Sequence, residues 1–243
     1  MKPGVVALAA GFSFVACAMV AGAAPASVLT DPIGALGAPA APWRVVGLPR
    51  QDKPYTRYQV IERAGERVLE VEAQASYGTL VHELPDGSAG RWLSWSWRIE
   101  QDNPAIDLRA RSGDDHTVVV CALFDLPLAA VPFIERQFLR LARMLSGQAL
   151  PAASLCYGQD ARLARDTVLD SPYTRRVRLI VLRGSGEPLQ AWRHEERDLP
   201  GDFNRLFGEE SNTLPPLRAV LVAADADNTG GHSIAHLKDL RLR

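Results

Sequence analysis

The sequence is short of the residues that most often announce chemistry. Among 243 residues there are five histidines, three cysteines and three methionines. His82, His116 and His194 are scattered, and no HExxH occurs. His232 and His236 read as members of one strand, which puts them ~13 Å apart, too far for one metal. Zinc is therefore not expected. No GxSxG, GxGxxG or Walker A pattern occurs, so the usual serine-nucleophile, dinucleotide and P-loop readings have no foothold. Charge of one sign is also missing: 27 Lys and Arg face 28 Asp and Glu. That balance gives no reason to expect nucleic acid or an anionic membrane as partner, since either needs a basic face. A local cluster at Arg175, Arg176 and Arg178 reads as the solvated face of a strand.

What is present is an ordinary globular mix, 47% hydrophobic and 23% charged. The length suits one domain with a full core. The N-terminus reads as a secretory signal peptide over residues 1–23. Lys2 supplies the positive end, Val5 to Val20 an uncharged apolar run, and Ala21-Gly22-Ala23 a small-residue cleavage site. The run is shorter than the ~20 residues of a spanning helix, so no stable membrane insertion is expected after cleavage. Lipidation at Cys17 is the alternative, although Phe14 stands where a lipoprotein signal usually has Leu. The chain is thus expected to be periplasmic or secreted. Residues 24–42, rich in Ala, Pro and Gly, read as a flexible lead-in, and the folded domain as 43–243. In an oxidising compartment Cys121 and Cys156 can form one disulfide; two buried thiols are the alternative.

The stretch Arg91 to Asp125 organises the rest. Leu93, Trp95, Trp97 and Ile99 alternate with Ser94, Ser96, Arg98 and Glu100, the period-two pattern of a strand with one buried face. Parity assigns Trp95 and Trp97 to the core and leaves Trp92 on the other face, where it could stack on a ligand. The run from Thr117 to Phe124 is apolar on both faces and reads as a covered central strand. Residues 131–147 form one amphipathic helix, with Phe133, Ile134, Phe138, Leu141 and Leu145 opposite Arg136, Arg140 and Arg143. That helix is the expected cover. A second, shorter helical turn is read at Asp202 to Phe207, and Pro85 to Ser88 reads as a turn. About ten short strands with turn signals argue for an all-β, single-domain, jelly-roll-like β-sandwich.

Two constellations could carry function. Asp225-x-Asp227-Asn228-Thr229-Gly230 clusters oxygen ligands around a Gly turn, which suits a structural Ca²⁺ held by Asp225, Asp227, Asn228 and Thr229; a plain Asx-rich hairpin turn is the alternative. Asp114-Asp115 face opposite ways on a strand, so they cannot form an acid/base pair by themselves. With Trp92 and Asp227 they are the candidate ligand contacts.

Laid out in order, these stretches resemble the bacterial domain-of-unknown-function family 3047. The carrying motifs are Trp43 with Leu48-Pro49, Trp95-Ser96-Trp97-Arg98, Gly113-Asp114-Asp115 with Phe124-Asp125, Arg197-Asp198 with Asp202-Phe203 and Phe207-Gly208, and Asp225-Ala226-Asp227-Asn228-Thr229. The resemblance implies an exported, β-rich single domain and no known reaction. The chain departs from the family pattern at Val119, Gln159 and Leu237-Lys238. The resulting expectation is an exported binding domain without catalysis, its ligand a glycan. The rivals are a glycan hydrolase using scattered carboxylates and an envelope interaction protein without a small ligand.

Overall fold

The computed structural model of the chain describes residues 29–147 and 149–243. The expected leader with Cys17 lies outside them, as does Gln148. Alternation has become two facing sheets. The first has seven strands in the order β1-β4-β11-β6-β7-β9-β8 and the second five, β10-β5-β12-β3-β2. Here β1 is Arg44–Val46, β2 Arg57–Arg63, β3 Glu66–Gln74, β4 Thr79–Ser88, β5 Trp92–Gln101 and β6 His116–Phe124. The later strands are β7 Ala153–Gln159, β8 Val168–Ser171, β9 Thr174–Arg183, β10 Arg193–Asp198, β11 Leu217–Asp225 and β12 His232–Leu242. All neighbours are antiparallel except β7 and β9. The result is a jelly-roll-like β-sandwich.

The core sits between the sheets. The five-stranded sheet supplies Leu93, Trp95, Trp97 and Ile99 of β5, with Leu69 and Val71 of β3 and Leu237 of β12. The other contributes Val118, Val120, Ala122 and Phe124 of β6, with Leu155 and Tyr157 of β7. Trp95 and Trp97 are fully buried and meet edge to face at 5.6 Å. The remaining parity of β6, Val119 and Cys121, belongs to a second apolar cluster on the outer face of the seven-stranded sheet, with Ile106, Leu108, Leu163 and Leu179.

That second cluster corrects the expected role of the helix. Helix α1 spans Phe133–Ser146, but the loop around Ile106 and Leu108 covers the outer face of β6 instead. In α1 only Leu139 is buried; Phe133, Ile134, Phe138, Leu141 and Leu145 point outward. Amphipathicity fixes that a helix has two faces, and tertiary contacts decide which one is covered. Helix α2, Leu199–Phe207, starts three residues earlier than its sequence signal because Pro200 is tolerated in a first turn. Its Phe203 packs on Phe124 at 4.9 Å, closing one end of the sandwich.

Three further expectations need correction. The lead-in is not loose from Leu29 onward: Leu29 is buried, the Trp43 indole N–H donates to the Thr30 carbonyl, and Gly37 pairs with Val60. Pro85 to Ser88 is the bulged end of β4 and not a separate turn. Beyond the short β1 partner one edge of β4 is free there among the described residues, so the missing Pro N–H costs no ladder bond. Arg176 and Arg178 are buried, not solvated; Glu210 accepts from both.

Candidate functional site

The outer face of the seven-stranded sheet is concave and holds a cleft of about 530 Å³. Its floor is apolar because β6, β7, β9 and β11 turn their outward parity to it: Val119, Cys121, Cys156, Leu179, Leu221 and Ala223. Cys121 and Cys156 stand opposite each other in the β6–β7 register and are joined by a disulfide. One end of the cleft is polar and carries Tyr77, Asp114, His116, Asp225, Asp227 and Asn228.

That end is built by the hairpin turn between β11 and β12 meeting the start of β6. The turn's backbone N–H groups need acceptors, and Asp115 supplies them. Its Oδ1 accepts from the Asn228 N–H at 3.1 Å and its Oδ2 from the Thr229 N–H at 2.8 Å. Asp115 is fully buried, so it serves the fold and does not face the cleft. Asp225 Oδ1 accepts from the His116 backbone N–H at 2.6 Å and lies 3.3 Å from the imidazole Nδ1. Asp114 turns away from Asp115 and lines the cleft, where Ser171 donates to it at 3.3 Å. Both residues precede β6, so the bend of the chain after a short 3-10 turn separates them and not strand alternation. Tyr173, in the turn between β8 and β9, places its hydroxyl 3.1 Å from Arg111 O and 3.2 Å from Asn228 Oδ1, and its one proton is donated to either acceptor. It thereby arches over the polar end.

Crowding of carboxylates sets the electrostatics. Burial raises Asp114 above the ordinary carboxyl value, and the charges of Asp225 and Asp115 add to it. Asp227 is raised for the same reasons, burial first, then Asp225 and Asp115. His116 is pulled down by burial, but its hydrogen bond to Asp225 and the charges of Asp225, Asp114 and Asp115 outweigh this and leave it raised. Tyr77 is pushed up to about 12 by burial beside Asp225 and Asp227.

Of the residues singled out from sequence, Asp114, Asp115, Asp225, Asp227, Asn228 and Thr229 come together, and Trp92 does not. Trp92 begins β5, whereas the turn lies past its other end, where Asn103 donates to Thr229 Oγ1. Nine strand steps separate those ends, roughly 30 Å. Trp92 instead lies half-buried beside the Arg91 guanidinium, 5.2 Å from its ring centre. The oxygens of the turn are not grouped as the sequence suggested. Asn228 Oδ1 is taken by Tyr173 and Thr229 Oγ1 by Asn103, while Asp115, Asp225 and Asp227 each place one oxygen within 4.8 Å of the others. Tyr77, His116, Ser171 and Tyr173 carried no sequence signal as a group, because they come from three separate segments, with Ser171 and Tyr173 sharing the β8–β9 turn.

Fold and cleft together define a two-sheet β-sandwich with a ligand-sized groove on one outer face. The chain belongs to the family described as protein of unknown function (DUF3047), whose model matches residues 41–241. No curated protein matches the sequence. Among solved structures it is similar to a family 11 carbohydrate-binding module from Clostridium thermocellum, in complex with a β-1,3-1,4-mixed-linked tetrasaccharide. The TM-score is 0.42 and the identity 9%, covering 84% of this chain and 89% of that one. A second is the xyloglucanase domain of NopAA, an effector from Sinorhizobium fredii, in complex with cellobiose. Its TM-score is 0.32 and its identity 7%, over 84% of this chain and 98% of that one. Likeness this distant carries no argument about a ligand.

Proposed function

We propose that this chain is a non-catalytic binding domain that takes a glycan segment in the cleft of the seven-stranded sheet. The observation that carries the reading is the pairing of an apolar floor with polar groups at one end. A sugar has the same division: C–H faces that lie on apolar or aromatic surface, and hydroxyls that donate to carboxylates. Tyr173, exposed at the cleft mouth, supplies the ring, and Asp114 and Asp227 supply the acceptors. Titration of the purified protein against soluble neutral oligosaccharides by calorimetry tests it. Binding that Asp227→Ala and Tyr173→Ala each weaken by tenfold or more, about 1.4 kcal/mol, is expected. No heat from any neutral glycan overturns it.

Hydrolysis is the rival that the raised Asp114 and Asp227 carboxyls favour, since a glycosidase needs a protonated acid. Binding is preferred because Asp115 and Asp225, the carboxylates that could partner them, are engaged by backbone amides. Release of reducing ends from a glycan that binds would reverse that preference. The reading extends to a structural Ca²⁺ on Asp115, Asp225 and Asp227, three oxygens of the roughly six to eight that the ion takes. A Tm identical in calcium and in chelator removes it. Export to an oxidising compartment belongs to the same proposal and is supported by the Cys121–Cys156 bond. Cell fractionation that leaves the protein in the cytoplasm overturns that part.

A further inference from the structure

Helix α1 leaves its apolar arc uncovered. Phe133, Ile134, Phe138, Met144 and Leu145 are 67–75% exposed and Leu141 47%. At about 100° per residue these six side chains share roughly 140° of the helix surface. The buried side of α1 carries Leu139, and Glu135 faces Arg176 at 3.5 Å. Between the two arcs, on the Phe133 and Met144 flank, stand Arg136, Arg140 and Arg143. No carboxylate forms an ion pair with any of them among the described residues. The Arg136 guanidinium lies 5.7 Å from the Phe133 ring centre, and Arg143 donates to the Leu150 carbonyl. On the other flank a groove lined by Phe138, Leu141 and Leu145 has Arg111 and Arg175 in its far wall. Of these, Arg175 is partnered by Asp170 at 3.1 Å.

We propose that α1 is an interfacial helix that docks the domain on an anionic lipid surface. An apolar arc beside a cationic one is the pattern of helices that lie in the headgroup plane. The even net charge of the whole chain hides it, because the positive charge is local. A second copy of this chain fits less well: pairing two such arcs antiparallel about a two-fold axis would bring the arginine flanks of both copies together, and parallel pairing would set that flank against the side that carries Arg111 and Arg175. Spanning is not involved, since α1 has 14 residues and no helix among the described residues is long and apolar enough to cross a membrane.

The test is co-sedimentation with vesicles of phosphatidylglycerol and of phosphatidylcholine. Wild type is compared with Phe138→Ser/Leu145→Ser and with Arg136→Gln/Arg140→Gln/Arg143→Gln. All carry the same N-terminal run, so only differences between them are read. The side chains of Phe138 and Leu145 are 68% and 75% exposed, and circular dichroism of each variant against wild type is the control for an intact fold. Wild type should bind phosphatidylglycerol and lose on the order of a hundredfold in the triple Gln variant, about fivefold per arginine. The Ser pair should lose binding to both lipids. Variants that bind like wild type overturn the proposal. So does a dimer in solution that the Ser pair converts to monomer without any change in lipid binding.

Discussion

Glu210→Ala tests most directly whether the arginines of β9 are buried structure or a solvated face. Glu210 receives Arg176 Nη1 at 2.5 Å and Nη2 at 3.0 Å, and Arg178 Nη2 at 2.5 Å. All three side chains are at most 10% exposed. The other acids within reach are Glu135 and Asp170, each 3.5 Å away and each facing one arginine. Removing Glu210 therefore leaves two buried cations beside each other, each with only a more distant and more exposed acid at 3.5 Å. Breaking a buried ion pair from one side costs about 3–5 kcal/mol. In a chain of this size that lowers Tm by roughly 6–20 °C, at about 2–4 °C per kcal/mol. Glu210→Gln keeps one acceptor oxygen and should cost about half as much. Differential scanning calorimetry on wild type and both variants is the assay. A solvated strand face would give changes within about 0.5 kcal/mol; a Tm within about 2 °C of wild type for Glu210→Ala refutes the reasoning.

The cleft carboxylates predict a pH signature. Asp114 and Asp227 are raised from 3.8, so their charging destabilises the fold as pH rises through their folded values. His116 is raised from 6.5, so its contribution is complete below that value and lost as pH rises through the folded one. Relative to wild type, Asp227→Asn should gain stability above about pH 4, and His116→Gln should lose most below about pH 6.5, both read as Tm against pH. The disulfide closes a loop of 35 residues, and Cys121→Ala/Cys156→Ala should cost about 3–4 kcal/mol in urea denaturation. An unchanged midpoint would show that the bond is absent from the purified protein. Trp95→Ala should cost about 3–5 kcal/mol by the same assay, since the ring is fully buried between the sheets.

How much was legible in the sequence varied with the range of the contact. The β5 pattern placed Trp95 and Trp97 in the core because alternate residues of a strand must face opposite sides. Asp114 and Asp115 read as strand residues, but both precede β6; the first lines the cleft and the second holds the β11–β12 turn. Trp92 was misplaced because parity tells which face a residue takes and nothing about which end of a 30 Å strand a distant turn will reach. Arg176 and Arg178 read as solvated because Glu210, 34 and 32 residues on, gives no local sign of being their partner.

By itself, then, the sequence determined the sandwich class, the faces of β5 and β6, the position of α1 and the family, all of which follow from periodicity, turn chemistry and motif order along the chain. Tertiary structure alone decided that α1 shows its apolar arc to solvent, that Asp115 is spent on the β11–β12 turn, and that Tyr173 from the β8–β9 turn arches over Asn228. Each of these depends on which segments meet in space, and that is set by the pairing of strands far apart in the chain, a property of the whole sheet and not of any stretch within it.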